Sequence, residues 1–154
     1  MTEAEGRKGA DIGTQAHIAR LCLCTRLRMA TRTVTQAYDH ALRETGLRIS
    51  QFAILASLRY DGEATMTQLA DSLGLDRTTL TRNLEPLTRR GFVEVRRGRD
   101  RRRRVVALTD AGADAVEAAL PAWRDAQNEL ITTLGPENRR ALMTALDVAD
   151  NVAE

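Results

Sequence analysis

Along most of the chain the apolar residues recur at helical spacing, and in one short region they switch to strand alternation. From about Gln15 to Glu44, the spacing of Ile18, Leu21, Leu27, Val34, Tyr38, Ala41 and Leu42 predicts a long amphipathic helix ended by Gly46. Ser50 is placed to cap a second helix over residues 51–62, with Phe52, Ile54, Leu55 and Leu58 as its core face. Thr65 and Gln68 have capping-box spacing, and Met66, Leu69, Ala70 and Leu73 make one face of a short helix behind them. Gly74 suits the left-handed residue that closes this helix, and Leu75 a buried contact in the turn. Asp76 then caps a further helix whose inward stripe is Leu80, Leu84, Leu87 and Thr88. Pro86 lies inside it, removes one amide donor and predicts a kink.

After Gly91 the period changes. Phe92–Val95 alternates as a strand does and Val105–Leu108 runs back, with RRGRDRRRR between them at residues 96–104. Thr109 caps a helix through Ala111, Ala115, Val116, Ala119 and Leu120, which Pro121 is expected to interrupt before Trp123, Leu130, Ile131 and Leu134. Gly135-Pro136 breaks the chain again, and Leu142, Met143, Leu146, Ala149 and Val152 mark a last amphipathic helix. The pattern is therefore mainly α with a small β-hairpin wing. A winged helix-turn-helix at 50–108 is flanked by helices at 15–45 and 109–154, all in one domain, 15–154, behind a flexible N-terminal tail, 1–14. The flanking helices have wide apolar faces with nothing inside the chain to cover them. They predict a homodimer, with 15–45 and 109–154 as dimerisation helices.

Charge separates the middle of the chain from its ends. Residues 76–104 carry eleven arginines and four acids, net +7, whereas residues 105–154 carry three arginines and nine acids, net −6. The overall +2 conceals this polarity. Arginine makes planar paired bonds and enters narrow grooves better than lysine does. Outward on the helix after Asp76 lie Arg77, Thr78, Thr79, Thr81, Arg82 and Asn83, at an end whose dipole favours phosphate. Arginine pairs with guanine, asparagine with adenine, and a threonine methyl touches thymine. Together with Arg97, Arg99, Asp100, Arg101 and Arg102 on the hairpin, these residues are the candidate contacts to double-stranded DNA. A non-specific or architectural DNA binder, held by phosphate alone, is the competing class. No P-loop, G-x-S-x-G motif or paired nucleophile and base is present, so an enzyme is not expected.

The segment LADSLGLDRTTLTRNLEPLTRRGFVE (69–94), the D-R-R at 100–102 and A-L-T-D-A-G at 107–112 resemble the MarR family of bacterial transcriptional regulators. The likeness spans residues 15 to 153. It implies a homodimer with a winged helix-turn-helix in each subunit, a palindromic operator, and a repressor released by a small phenolic or aromatic effector or by an oxidant. It also implies that Asp100 orients Arg102 into the minor groove while Arg101 touches phosphate. The chain departs from the pattern in carrying Arg103 and Arg104 and in lacking a proline before the acidic wing residue.

For sensing, the candidates are Cys24, Tyr38, Arg28 and Cys22. Organic-hydroperoxide sensors of that family have a first-helix cysteine followed, fourteen residues on, by a tyrosine, as Cys24 is by Tyr38. Arg28 stands where those sensors have a second tyrosine, and an arginine stabilises a thiolate. Two helical residues two apart point to different sides, so Cys22 and Cys24 are not expected to close a disulfide within one helix. Both cysteines equally suit plain apolar packing. Phe52, Tyr60 and Trp123 are candidates either for an effector pocket or for core. His17, His40 and Asp11 match no metal spacing, and no cofactor is expected. No run approaches a membrane span and the N-terminus lacks an apolar leader, which predicts a cytoplasmic protein.

Overall fold

The computed structural model describes residues 22–98 and 104–151. The chain divides into two units after Gln36, and the winged head lies in the second. Helix α1 (Leu23–Ala41) gives way to a 3-10 turn, Arg43–Thr45, closed by Gly46 at φ 68°. The helix thus stops short of Glu44. Leu42 is fully buried, and its carbonyl takes both the Thr45 amide (3.0 Å) and the Thr45 hydroxyl (2.7 Å), which tightens the chain there. The predicted start at Gln15, with Ile18 and Leu21, falls outside the described residues.

Helix α2 (Ile49–Asp61) begins before the cap assigned to it from sequence. Arg48 occupies the N-cap position, and a carboxylate from α1 does the capping: Asp39 Oδ1 accepts the Ile49 amide at 2.8 Å. Ser50 is released from that role, and Phe52, Ile54, Leu55 and Leu58 are buried as predicted. Strand β1 (Ala64–Thr65) leads into α3 (Met66–Ser72), whose capping box forms: Thr65 Oγ1 accepts the Gln68 amide, and Gln68 Oε1 accepts the Thr65 amide. Gly74, at φ 60°, makes the turn to α4 (Arg77–Arg89).

Strands β2 (Val93–Arg97) and β3 (Arg104–Leu108) complete the wing, and the sheet has three strands in the order β1-β3-β2. The sequence shows only two, because Ala64 and Thr65, paired with Val106 and Val105, are too few to reveal an alternation. Val93 is buried, but Val95 is exposed, so the predicted alternation holds for one residue only. Thr88 is likewise exposed, its hydroxyl bonded back to the Leu84 carbonyl.

Helix α5 (Asp110–Asp150) is capped by Thr109 as predicted and changes course at Gly135 (φ 74°, ψ 163°), where Pro136 starts the next turn. Neither Pro86 nor Pro121 interrupts its helix. Each frees one carbonyl, that of Arg82 or of Glu117, and both those residues are exposed, where water can take the place of the missing amide. The base of the wing meets the start of α5 so closely that a Cβ on Gly112 would lie 2.1 Å from the Phe92 carbonyl oxygen. One apolar cluster joins α2, α3, α4, the sheet and α5, with Leu42, Ile54, Leu55, Leu80, Leu87 and Val106 fully enclosed. No helix among the described residues is long and apolar enough to cross a membrane.

Candidate nucleic-acid interface

The exposed face of α4 is organised by its cap. Asp76 accepts the Thr79 amide at 2.8 Å and the Thr79 hydroxyl at 2.7 Å, which satisfies a first-turn donor. The Thr79 amide, and then its hydroxyl, hold the Asp76 carboxyl below the usual carboxylate range. Beyond the cap, Arg77, Thr78, Thr81 and Arg82 are exposed, while Thr79 is half-buried and engaged with Asp76. Thr81 returns its hydroxyl to the Arg77 carbonyl.

Asn83 is placed differently from the others. Its Nδ2 donates to the Thr79 carbonyl at 2.9 Å and its Oδ1 accepts the Ser50 hydroxyl at 2.9 Å. The amide that sequence reasoning offered to adenine is thus engaged inside the chain. The i, i+4 pattern from Thr79 to Asn83 hinted at the first bond; nothing in the sequence pointed to Ser50, 33 residues away.

On the wing, Arg96 donates to Glu63, which ties β2 to the chain ahead of β1. Arg97 and Arg104 are exposed and stand directly opposite each other across the ladder. Like charges in that register repel, so the pair weakens the sheet unless an anion lies against it. Arg99, Asp100, Arg101 and Arg102 lie outside the described residues. Between α4 and the wing runs a cleft of about 590 Å³, floored by Met66, Leu84 and Val95 and rimmed by Arg77, Arg89 and Arg104. Arg89 is also paired with Glu85 at 2.8 Å.

Cys22 lies just ahead of α1 rather than inside it, its carbonyl accepting the Arg26 amide. The Thr25 amide, and then the Thr25 hydroxyl, hold its thiol below the ordinary value. Cys22 and Cys24 are both free thiols. Cys24 and Arg28 are exposed. Tyr38 is buried and donates its hydroxyl to Gln127 of its own chain; burial pushes its pKa up.

Phe52 and Trp123 stack at 5.9 Å, and Phe52 also lines a cavity of about 270 Å³ with Ala56, Val116 and Leu120. Tyr60, 90% exposed, stands at its rim beside the Arg59–Glu117 ion pair (3.7 Å). Among the described residues no three His, Cys, Asp or Glu side chains are grouped to hold a metal; His40 contacts Arg43, and His17 and Asp11 are outside them.

A capped helix with an exposed basic face beside an arginine-lined hairpin defines a winged helix-turn-helix protein. Residues 47–105 match the family model described as the MarR family. The transcriptional regulator MosR of M. tuberculosis, solved in complex with DNA, is 41% identical with a TM-score of 0.74, over 84% of this chain and 96% of that one. A mutant MarR from E. coli, complexed with operator DNA, is 25% identical with a TM-score of 0.78, over 88% and 99%. The repressor NicR of Pseudomonas putida is 27% identical over 121 residues, 78% of this chain and 77% of NicR. The chain belongs to the MarR family of transcriptional regulators.

Proposed function

We propose that this protein is a homodimeric, sequence-specific DNA-binding repressor acting on a palindromic operator in the cytoplasm. The observation that carries this is the cross-strand pair Arg97–Arg104 beside the exposed Arg77, Thr78 and Arg82: a like-charge pairing that costs sheet stability and gains from a polyanion. Arg77, Thr78, Thr81 and Arg82 read base edges, while Arg97 and the wing-tip residues Arg99, Asp100, Arg101 and Arg102 engage phosphate and the minor groove. The helices at 15–45 and 109–154 pair two copies, which sets two heads about one helical turn apart and calls for a two-fold site. That MosR and MarR have been solved with DNA, and that NicR is named a repressor, supports the reading.

Release comes from a small aromatic effector in the cavity lined by Phe52, Ala56, Val116 and Leu120, whose volume suits a single ring. Oxidation at Cys22 and Cys24 is the second route, favoured by the lowered Cys22 thiol. Fluorescence anisotropy on the promoter of the chain's own gene against scrambled duplex decides the main point. A specific repressor prefers its site by about 10³ or more; equal affinity with a steep salt slope establishes the architectural class instead. Arg82→Ala costs about 1–3 kcal/mol of discrimination at the matched base step. For the redox route, peroxide weakens operator binding in the native protein and leaves Cys22→Ser/Cys24→Ser unaffected.

A further inference from the structure

We propose that the turn after α1 and the first turn of α2 form a two-point bracket on α4, so that Ser50, Asn83 and Arg90 are positioning residues for base reading; this rests on α4 being the DNA-reading helix. The first point is the Ser50 hydroxyl donating to Asn83 Oδ1 at 2.9 Å, with the Asn83 amide fixed from its other end by the Thr79 carbonyl. The second is Arg90, the C-cap residue of α4, whose Nη1 donates to the Gly46 carbonyl at 2.7 Å. Its guanidinium is also held over the Phe92 ring, 4.4 Å from the centroid.

Asn83 and Arg90 are seven residues apart. Seven residues turn a helix through about 700°, within roughly 20° of two full turns, so both anchors fall on one side, about 10 Å apart along the axis. Among the described residues the remaining hold on α4 is apolar, through Leu80, Leu84 and Leu87. Apolar contact is non-directional and tolerates small rotations, whereas hydrogen bonds do not. The tolerance matters at the DNA. A rotation of about 20° moves a side chain roughly 6 Å from the axis by about 2 Å, several times the distance window of a hydrogen bond to a base. Two directional anchors on one side remove that freedom.

The other end of the bracket is α1. Asp39 accepts the Ile49 amide at 2.8 Å and pairs with Arg48 at 3.1 Å, and the 3-10 turn that closes α1 supplies Gly46 itself. A change at the end of α1 therefore reaches α4 at both points.

The test uses Ser50→Ala, Asn83→Ala, the double variant, Arg90→Met and Arg90→Lys in the full chain. One readout is the ratio of operator to scrambled-duplex affinity. The other is amide hydrogen exchange across residues 77–89 in the DNA-free protein. Ser50→Ala and Asn83→Ala should each lower the ratio about five- to tenfold, spread over several base positions. The double variant should lose no more than Asn83→Ala alone, because both remove one interaction. Arg90→Met should lose a similar factor, and Arg90→Lys, which still donates to Gly46, should recover most of it. Exchange in α4 should quicken several-fold in Ser50→Ala and Arg90→Met while residues 110–134 are unchanged. The bracket is overturned if Ser50→Ala matches the native protein in both readouts, or if Asn83→Ala loses affinity at one base pair alone while Ser50→Ala is silent. A native protein with no operator preference sinks the assignment of α4 as a reading helix, and the exchange measurement then decides the bracket by itself.

Discussion

The winged head and the end of α5 use the same kinds of residue to opposite effect. In the head, leucines at 42, 55, 69, 80 and 87 are at most 1% exposed. In residues 136–151 every position is exposed, and Leu142, Met143, Leu146 and Val148 show from 37% to 63% of their surface. An apolar helical face left open has not been relieved of the cost of hydrating it. The head is complete within one chain; the end of α5 keeps its apolar side chains open, and on the proposed reading a second copy covers them.

That contrast can be broken at several strengths. Leu80→Ala, in the enclosed part of the head, should cost about 2–5 kcal/mol in denaturant unfolding. Gly112→Ala comes next. Alanine would gain about 1 kcal/mol of helix propensity, but its Cβ would meet a main-chain carbonyl at 2.1 Å. The overpacking, about 1–3 kcal/mol or more, should win and lower the melting temperature. Leu142→Asp with Leu146→Asp should leave the head folded and shift the dimer–monomer midpoint in sedimentation at least tenfold; an unmoved midpoint would place the interface elsewhere. Thr109→Ala should remove about 1 kcal/mol with the loss of the α5 cap.

The smallest effect is at Asp76. Its carboxyl titrates lower when folded than when unfolded, so its stabilisation is present above the ordinary carboxylate range and is lost as pH falls through the depressed value. Asp76→Asn keeps a capping oxygen without the charge and should flatten the acid limb of the stability curve.

Elements whose signals are local were legible in the sequence. The Thr65–Gln68 box, the Asp76 and Thr109 caps, and the stop at Gly91 all appear in place. What escaped was set by contacts distant in the chain. Asp39 caps α2 from ten residues away, which displaced Ser50, and β1 exists only because β3 offers it a free edge. Pro121 misled because a proline does not end a helix where the carbonyl it frees belongs to an exposed residue. At the candidate interface the sequence identified the helix face and the hairpin, yet the hydrogen bonds of Asn83 come from the tertiary fold.

The placing of β3 between β1 and β2 has a consequence for how such proteins diversify. Val105 and Val106 are bonded on both flanks, so the hairpin is rooted by its inner strand and does not depend on its outer reach. Mutation can alter what lies between the two strands while the scaffold beneath stands. A head of this kind can therefore take sequence change at its outer edge without losing its sheet.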